Sequence, residues 1–352
     1  MSHKTSSFDD FFKNNHFSKD ENYLFSACTI YNFKGEMVRG YAADLCSFED
    51  DGSYLISDTS GDLIYKDKFN RPIWTLKNIY AHHGIQKDSN GDYLIISSDI
   101  QDVYGHKSRF DLFYRIARND GKILAEYSLF KNFNQISDND KPSRQDILPQ
   151  NWFTDLKVPY EITHTNSFYQ VDKPQNNPDQ ILQQYDFIIN FQAKSIGKIL
   201  VLDGENFTLK QKMRPYPYFI HDVQALENGS LLYLNNSPDS EVMRGEDILR
   251  LRTRTTGSSR VETMSLSSGV VQNYFDSNEP APFLMHVAGS IQRFDDGTIL
   301  TTDTSNKTSN FVFINKEQKV LKRIDITKYC PNGIGFVKLA NLSQFLKNNI
   351  GL

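Results

Sequence analysis

Four of the chain's eight histidines recur in similar strings. These are His82-His83-Gly84-Ile85-Gln86, Thr163-His164-Thr165-Asn166-Ser167, His221-Asp222-Val223-Gln224 and His286-Val287-Ala288-Gly289-Ser290. Imidazole titrates near neutrality, passes protons and ligates transition metals, so a histidine returning at one phase of a repeat points to acid–base or metal chemistry. If the repeats are arranged radially, His83, His164, His221 and His286 meet in one pocket on the axis. Strand alternation sends His82 and His83 to opposite sides, and sequence alone does not say which of them faces inward.

The elements that must carry these side chains also repeat. A turn of Asp-Gly or Asn-Gly followed by a β-rich run occurs at Asp51-Gly52, Asn90-Gly91, Asn228-Gly229 and Asp296-Gly297, with a weaker copy without glycine at Tyr185-Asp186. Such pairs accept positive φ and predict two-residue hairpins joining the first two strands of an antiparallel sheet. Second turns, such as Asn119-Asp120-Gly121 and Asp203-Gly204, make four strands per unit. Five units follow, at about 47–77, 84–130, 164–214, 221–276 and 288–328. A sixth forms if the strands at Tyr23–Ser26 and Thr29–Asn32 pair with the segment near Gly335–Leu339, which closes the ring and removes its exposed edges. The expected fold is all-β: a six-bladed β-propeller closed by pairing of the N- and C-terminal strands. It spans residues 21–340, after a polar, partly helical extension at 1–20 and before a short helix or tail at 341–352. The polar insertions 134–151 and 237–245 are expected as loops over one mouth of the ring.

Composition excludes several partners. A net charge of −4 with interspersed signs offers no basic stripe for phosphates, so nucleic acid is not expected. Apolar runs are far shorter than the ~20 residues of a membrane helix, and the polar N-terminus lacks an apolar signal segment, so no membrane association is expected. The chain as given reads as cytoplasmic, or periplasmic if a leader has been removed. Cys28, Cys46 and Cys330 are an odd, scattered set without CxxC spacing and read as buried or free thiols.

The strings Glu161–Ser167, His221–Gln224 with Gly229, Ser259-Arg260-Val261-Glu262 and Gly289-Ser290-Ile291-Gln292-Arg293, together with His82-His83, resemble the blade-entry motifs of the bacterial arylsulfotransferases that do not use PAPS. The resemblance covers roughly residues 80–305 in the correct order. It implies a propeller whose axial residues carry a sulfuryl group from an aryl sulfate to a phenol, without a cofactor. His164, His221 and Arg260 would then bind the sulfuryl oxygens, His286 would join them in catalysis, and Arg260→Ala would abolish transfer. His83, Asn166, Tyr218 and Gln292 would contact the small aromatic substrate. One departure stands out: the family's sulfated histidine follows the Gly-Ser of a late blade, and Gln292 occupies that place. A carboxamide is a poor nucleophile. That leaves His286 in the role, direct transfer, or different chemistry.

Two other readings remain open. Four imidazoles from four blades suit iron, copper, zinc or nickel, so His83, His164, His221 and His286 could form the site of a metal-dependent oxygenase or lyase, with Glu161, Asp222 or Glu262 orienting the rings. The third reading is a non-catalytic binding scaffold, although a pure scaffold has no need of axial histidines.

Overall fold

The computed structural model describes residues 7–26, 28–43, 45–137, 142, 148–149, 160–176, 181–192, 198–213, 220–236, 259–275, 282–285, 289–305, 308–330 and 337–350. They form a six-bladed β-propeller. Blade 2 runs from the axis outward through Leu45–Phe48, Tyr54–Ser57, Leu63–Lys66 and Pro72–Leu76. Blades 4, 5 and 6 repeat that order from inner strands His164–Gln170, Ile220–Ala225 and Ile291–Arg293. Blade 3 starts at Ile85–Lys87, and its next two strands, Tyr93–Val103 and His106–Ile116, are eleven residues long. The ring closes as expected: Lys338–Asn341 is the inner strand of blade 1 and pairs antiparallel with Asn22–Ser26.

The second strand of each of blades 2, 4, 5 and 6 is short and mostly buried because both of its faces are covered, and that of blade 3 begins in the same way at Tyr93–Ile96. Tyr54–Ser57 and Ile299–Asp303 are buried at every position. Six apolar clusters fill the six seams between neighbouring blades, for example Phe113 against Phe168 and Phe187 between blades 3 and 4. The helix Phe8–Asn14 lays Phe11 and Phe12 into the seam between blades 6 and 1, and the helix Ser343–Ile350 lays Phe345 and Leu346 into that between blades 1 and 2. Both terminal segments therefore contribute to the core.

The hairpins differ in detail from the two-residue form. Gly91 N–H donates to Asp88 O and Asp88 N–H to Asp92 O, so three residues intervene and the last, Gly91, is left-handed at φ 81°. The same pattern holds at Gly52, Gly229 and Gly297. In blade 4 Tyr185 takes the glycine's place at φ 75°, which explains why that copy is weak in sequence.

The cysteine expectation is corrected. Cys28 and Cys46 form a disulfide, with Cα atoms 5.1 Å apart, and only Cys330 is free. Cys28 lies in the turn between the second and third strands of blade 1 and Cys46 in the inner strand of blade 2, so the packing of two consecutive blades brings together residues whose spacing carried no signal. The bridge covalently joins two blades. Reduction, or Cys28→Ser with Cys46→Ser, should lower unfolding free energy by about 3 kcal/mol, the loop-closure value for this separation. Denaturant unfolding with and without reductant checks it, and coincident curves would show that the bridge is absent.

Candidate functional site

The chain enters the inner strands of blades 3, 4 and 5 through His83, His164 and His221. His83 is itself left-handed (φ 65°), a conformation that a non-glycine residue holds at a cost of about 1–3 kcal/mol. It lines an axial cavity of ≈ 60 Å³, whereas His82, 7% exposed, is buried behind it, which settles which of the pair faces inward. The inner strands of blades 4 and 5 slip register beside their histidines, between Thr165 and Ser167 and between His221 and Gln224. Such bulges re-aim side chains. The residues left without a partner across the sheet include Asn166 and Asp222, and both line the cavity.

Partners behind the rings set their tautomers. Asn236 Nδ2 donates to Met285 O, which orients Asn236 Oδ1 to accept from His221 Nδ1 at 2.8 Å. His164 Nδ1 donates to Glu161 Oε1 at 2.6 Å. His82 Nε2 donates to Asp111 Oδ1 at 3.1 Å, so the bare Nδ1 of a neutral His82 accepts from His83 Nδ1, 2.6 Å away. His164 Nδ1 stands between the Glu161 carboxylate and the Arg109 guanidinium. The Nε2 atoms of His83 and His164 lie 3.1 Å apart, at hydrogen-bond distance.

Two groups that the motifs did not single out complete the site. Arg109 and Asp111, both 0% exposed, alternate along the overhanging end of His106–Ile116, which pairs in parallel with Tyr160–Glu161 beyond the ordinary blade. Arg109 binds Glu161, and its Nη2 lies 3.2 Å from His164 Nδ1. Asp111 accepts from Thr165 N and Oγ1, each at 2.8 Å. Burial alone would raise the Asp111 carboxyl, but the His82 hydrogen bond and the charges of His82 and Arg109 outweigh it and hold it low. Burial, followed by the charges of His164, His82, His221 and Arg109, pushes His83 well below its ordinary 6.5. The only signal for Arg109 and Asp111 was their i, i+2 spacing in a strand.

Other expected site residues fall elsewhere. Arg260 is exposed on the third strand of blade 5, away from the axis, because the Ser259–Glu262 string opens an outer strand. Gln292 donates to Leu339 O and accepts from Leu339 N, so its amide fastens blade 6 to blade 1 and is occupied. Asn166 donates to Ile220 O and faces the cavity. Of the three carboxylates expected to orient imidazoles, Glu161 does so, Asp222 binds Ile291 N, and Glu262 binds Asn235. His286, Tyr218 and most of the two insertions lie outside the described residues. No group of three or more His, Cys, Asp or Glu among the described residues is spaced to hold a metal ion.

No protein-family model matches the chain, and no curated protein does. The arylsulfotransferase resemblance therefore stands on its short motifs. Similar solved structures include the dihydro-heme d1 dehydrogenase NirN, at 12% identity over 87% of this chain and 54% of that one, with TM-score 0.41. TolB from Acinetobacter baumannii matches at 10% identity over 90% and 66%, with TM-score 0.44. BamB from Moraxella catarrhalis matches at 9% over 86% and 82%, with TM-score 0.36. The chain spans about half to two thirds of the length of the first two.

The buried histidines set a pH dependence. Burial holds His82 and His83 below 6.5, so under mildly acidic conditions the folded chain binds fewer protons than the unfolded one. Stability should therefore fall as pH drops below about 6.5, by up to about 1.4 kcal/mol per pH unit for each histidine. Denaturant unfolding at a series of pH values measures it. His83→Gln should flatten the profile, and an equal slope in wild type and variant would show that His83 does not titrate in this way.

Proposed function

We propose that the axial cavity is the active site of a group-transfer enzyme acting on a small anionic ester, with sulfuryl transfer from an aryl sulfate to a phenol as the specific reaction. The observation that carries this is the imidazole pair His83 and His164, whose Nε2 atoms lie 3.1 Å apart, with His83 lining the cavity and His164 backed by Glu161. His164 backed by Glu161 has the arrangement of an activated nucleophile or general base. On this reading its Nε2 attacks sulfur, the S–O bond to the phenolate breaks, and the phenolate takes up a proton. Return of the sulfuryl group from nitrogen to the acceptor phenol, with loss of that phenol's proton, completes the cycle. Arg109, held against His164 and Glu161, supplies the positive charge assigned from sequence to Arg260.

A metal reading rests on one distance. Imidazoles bound to a shared ion at ~2.0–2.1 Å have nitrogens about 3 Å apart when cis, close to the His83–His164 separation. In that case His83 and His164 would hold the ion, which would supply Lewis-acid or redox chemistry. Elemental analysis of protein purified without added metal separates the readings: near-stoichiometric iron, copper, zinc or nickel favours the ion.

The disulfide supports folding in an oxidising compartment, because glutathione and thioredoxin keep cytosolic thiols reduced. No helix among the described residues is long and apolar enough to cross a membrane.

Metal-free protein should transfer sulfate from an aryl sulfate to a phenol. His164→Ala should slow it by roughly 10²–10⁴-fold. Arg260→Ala should leave the rate within about twofold, as an exposed residue off the axis should. Loss of activity in Arg260→Ala with His164→Ala unaffected would remove the axial assignment.

A further inference from the structure

The axial cavity contains a cation that the chemistry above does not use. Lys338 begins the inner strand of blade 1, opposite blade 4 in the ring, and its side chain lines the same cavity as His83. Its Nζ has one hydrogen-bond partner among the described residues, Gln86 Oε1 at the outer limit of 3.5 Å. No carboxylate among them comes within ion-pair distance. Asp222 lines the cavity too, but its Oδ2 accepts from Ile291 N at 2.7 Å and from Gln224 Nε2 at 3.3 Å.

An ammonium carries three N–H donors, so two of them have no acceptor in this wall, and a charge in a desolvated pocket is costly until it is answered. Across the cavity Asn166, 2% exposed, spends its Nδ2 on Ile220 O and leaves Oδ1 without a partner among the described residues. The pocket therefore offers donors on one side and an acceptor on another. At ≈ 60 Å³ it has room for more than one water-sized oxygen.

We propose that Lys338 is the oxyanion-binding residue of the axial cavity, holding the oxygens of a tetrahedral group such as sulfate while Asn166 Oδ1 accepts from a hydroxyl or water beside it. The biological meaning of this assignment rests on the group-transfer reading; the binding itself does not. Burial lowers the Lys338 ammonium against the opposing pull of Asp222, so an anion docking there also restores the charge that burial disfavours. Burial raises the Asp222 carboxyl, while Lys338, Ile291 N and Gln224 pull it the other way.

Calorimetric titration of the full chain with inorganic sulfate, at constant ionic strength against chloride, tests this. Saturable binding is expected. Lys338→Met should weaken it at least tenfold, about 1.4 kcal/mol, and Lys338→Arg should stay within about threefold of wild type. Thermal unfolding of each variant identifies any that fails to fold, and Lys338→Gln then serves as the neutral variant. Unchanged affinity in a folded neutral variant, or no saturable sulfate binding by wild type, overturns the assignment. Sulfate binding that depends on Lys338 in a protein without transferase turnover would keep this inference and remove the group-transfer reading. Wild-type turnover in Lys338→Met would do the reverse.

Discussion

Each inner strand of the propeller has one edge without a strand partner, and the six free edges meet around a narrow channel. Backbone N–H and C=O groups buried there must find acceptors and donors, and no further strand among the described residues supplies them. Short polar side chains of one blade reach the backbone of the next and do so. Ser167 Oγ accepts from Val223 N, Asp222 from Ile291 N, and Ser290 Oγ both donates to and accepts from Val337. Gln224 donates to Ile291 O, and Gln292 makes a reciprocal pair with Leu339. These links join blade 4 to 5, 5 to 6 and 6 to 1. They also define how close the inner strands come and thus the width of the cavity.

This stitching constrains where chemistry can sit. A side-chain atom that ties two blades is not open to a ligand, so functional atoms belong at the starts and bulges of the inner strands or on the unspent end of a tying side chain, as with Asn166, whose Nδ2 bonds Ile220 O while Oδ1 has no partner among the described residues. His83, His164 and His221 occupy the entries, and the register shifts after the latter two free Asn166 and Asp222 from regular pairing. Blade 3 adds a second device. Its extended hairpin overhangs the blade, and there Arg109 and Asp111 leave the ordinary four-strand pattern to back the imidazoles. Scaffold and site draw on the same few inner-strand positions and divide them by phase.

That division explains which features could be read from the sequence. The blades were legible because their turns need Gly at positive φ and their second strands are apolar on both faces, so each unit repeats a recognisable phrase. The contact of His83 with His164 joins two of the histidines the repeats singled out, and only His83 of these lines the cavity. The roles of Gln292 and Arg260 were not legible, because a glutamine that clasps backbone and one that contacts a ligand look alike, and a motif that opens a third strand looks like one that opens a first. Arg109 and Asp111 lie mid-strand at no repeated phase. The disulfide depends on how blade 2 packs against blade 1, which makes no mark in spacing.

Charge balance at the axis follows from the same arrangement. Asp111 and Glu161 are opposed by one guanidinium, Arg109, so three neutral imidazoles leave the group one negative charge in excess. Burial and the neighbouring charges of His164, His82, His221 and Arg109 disfavour a proton on His83, so the ring that lines the cavity does not offset that excess.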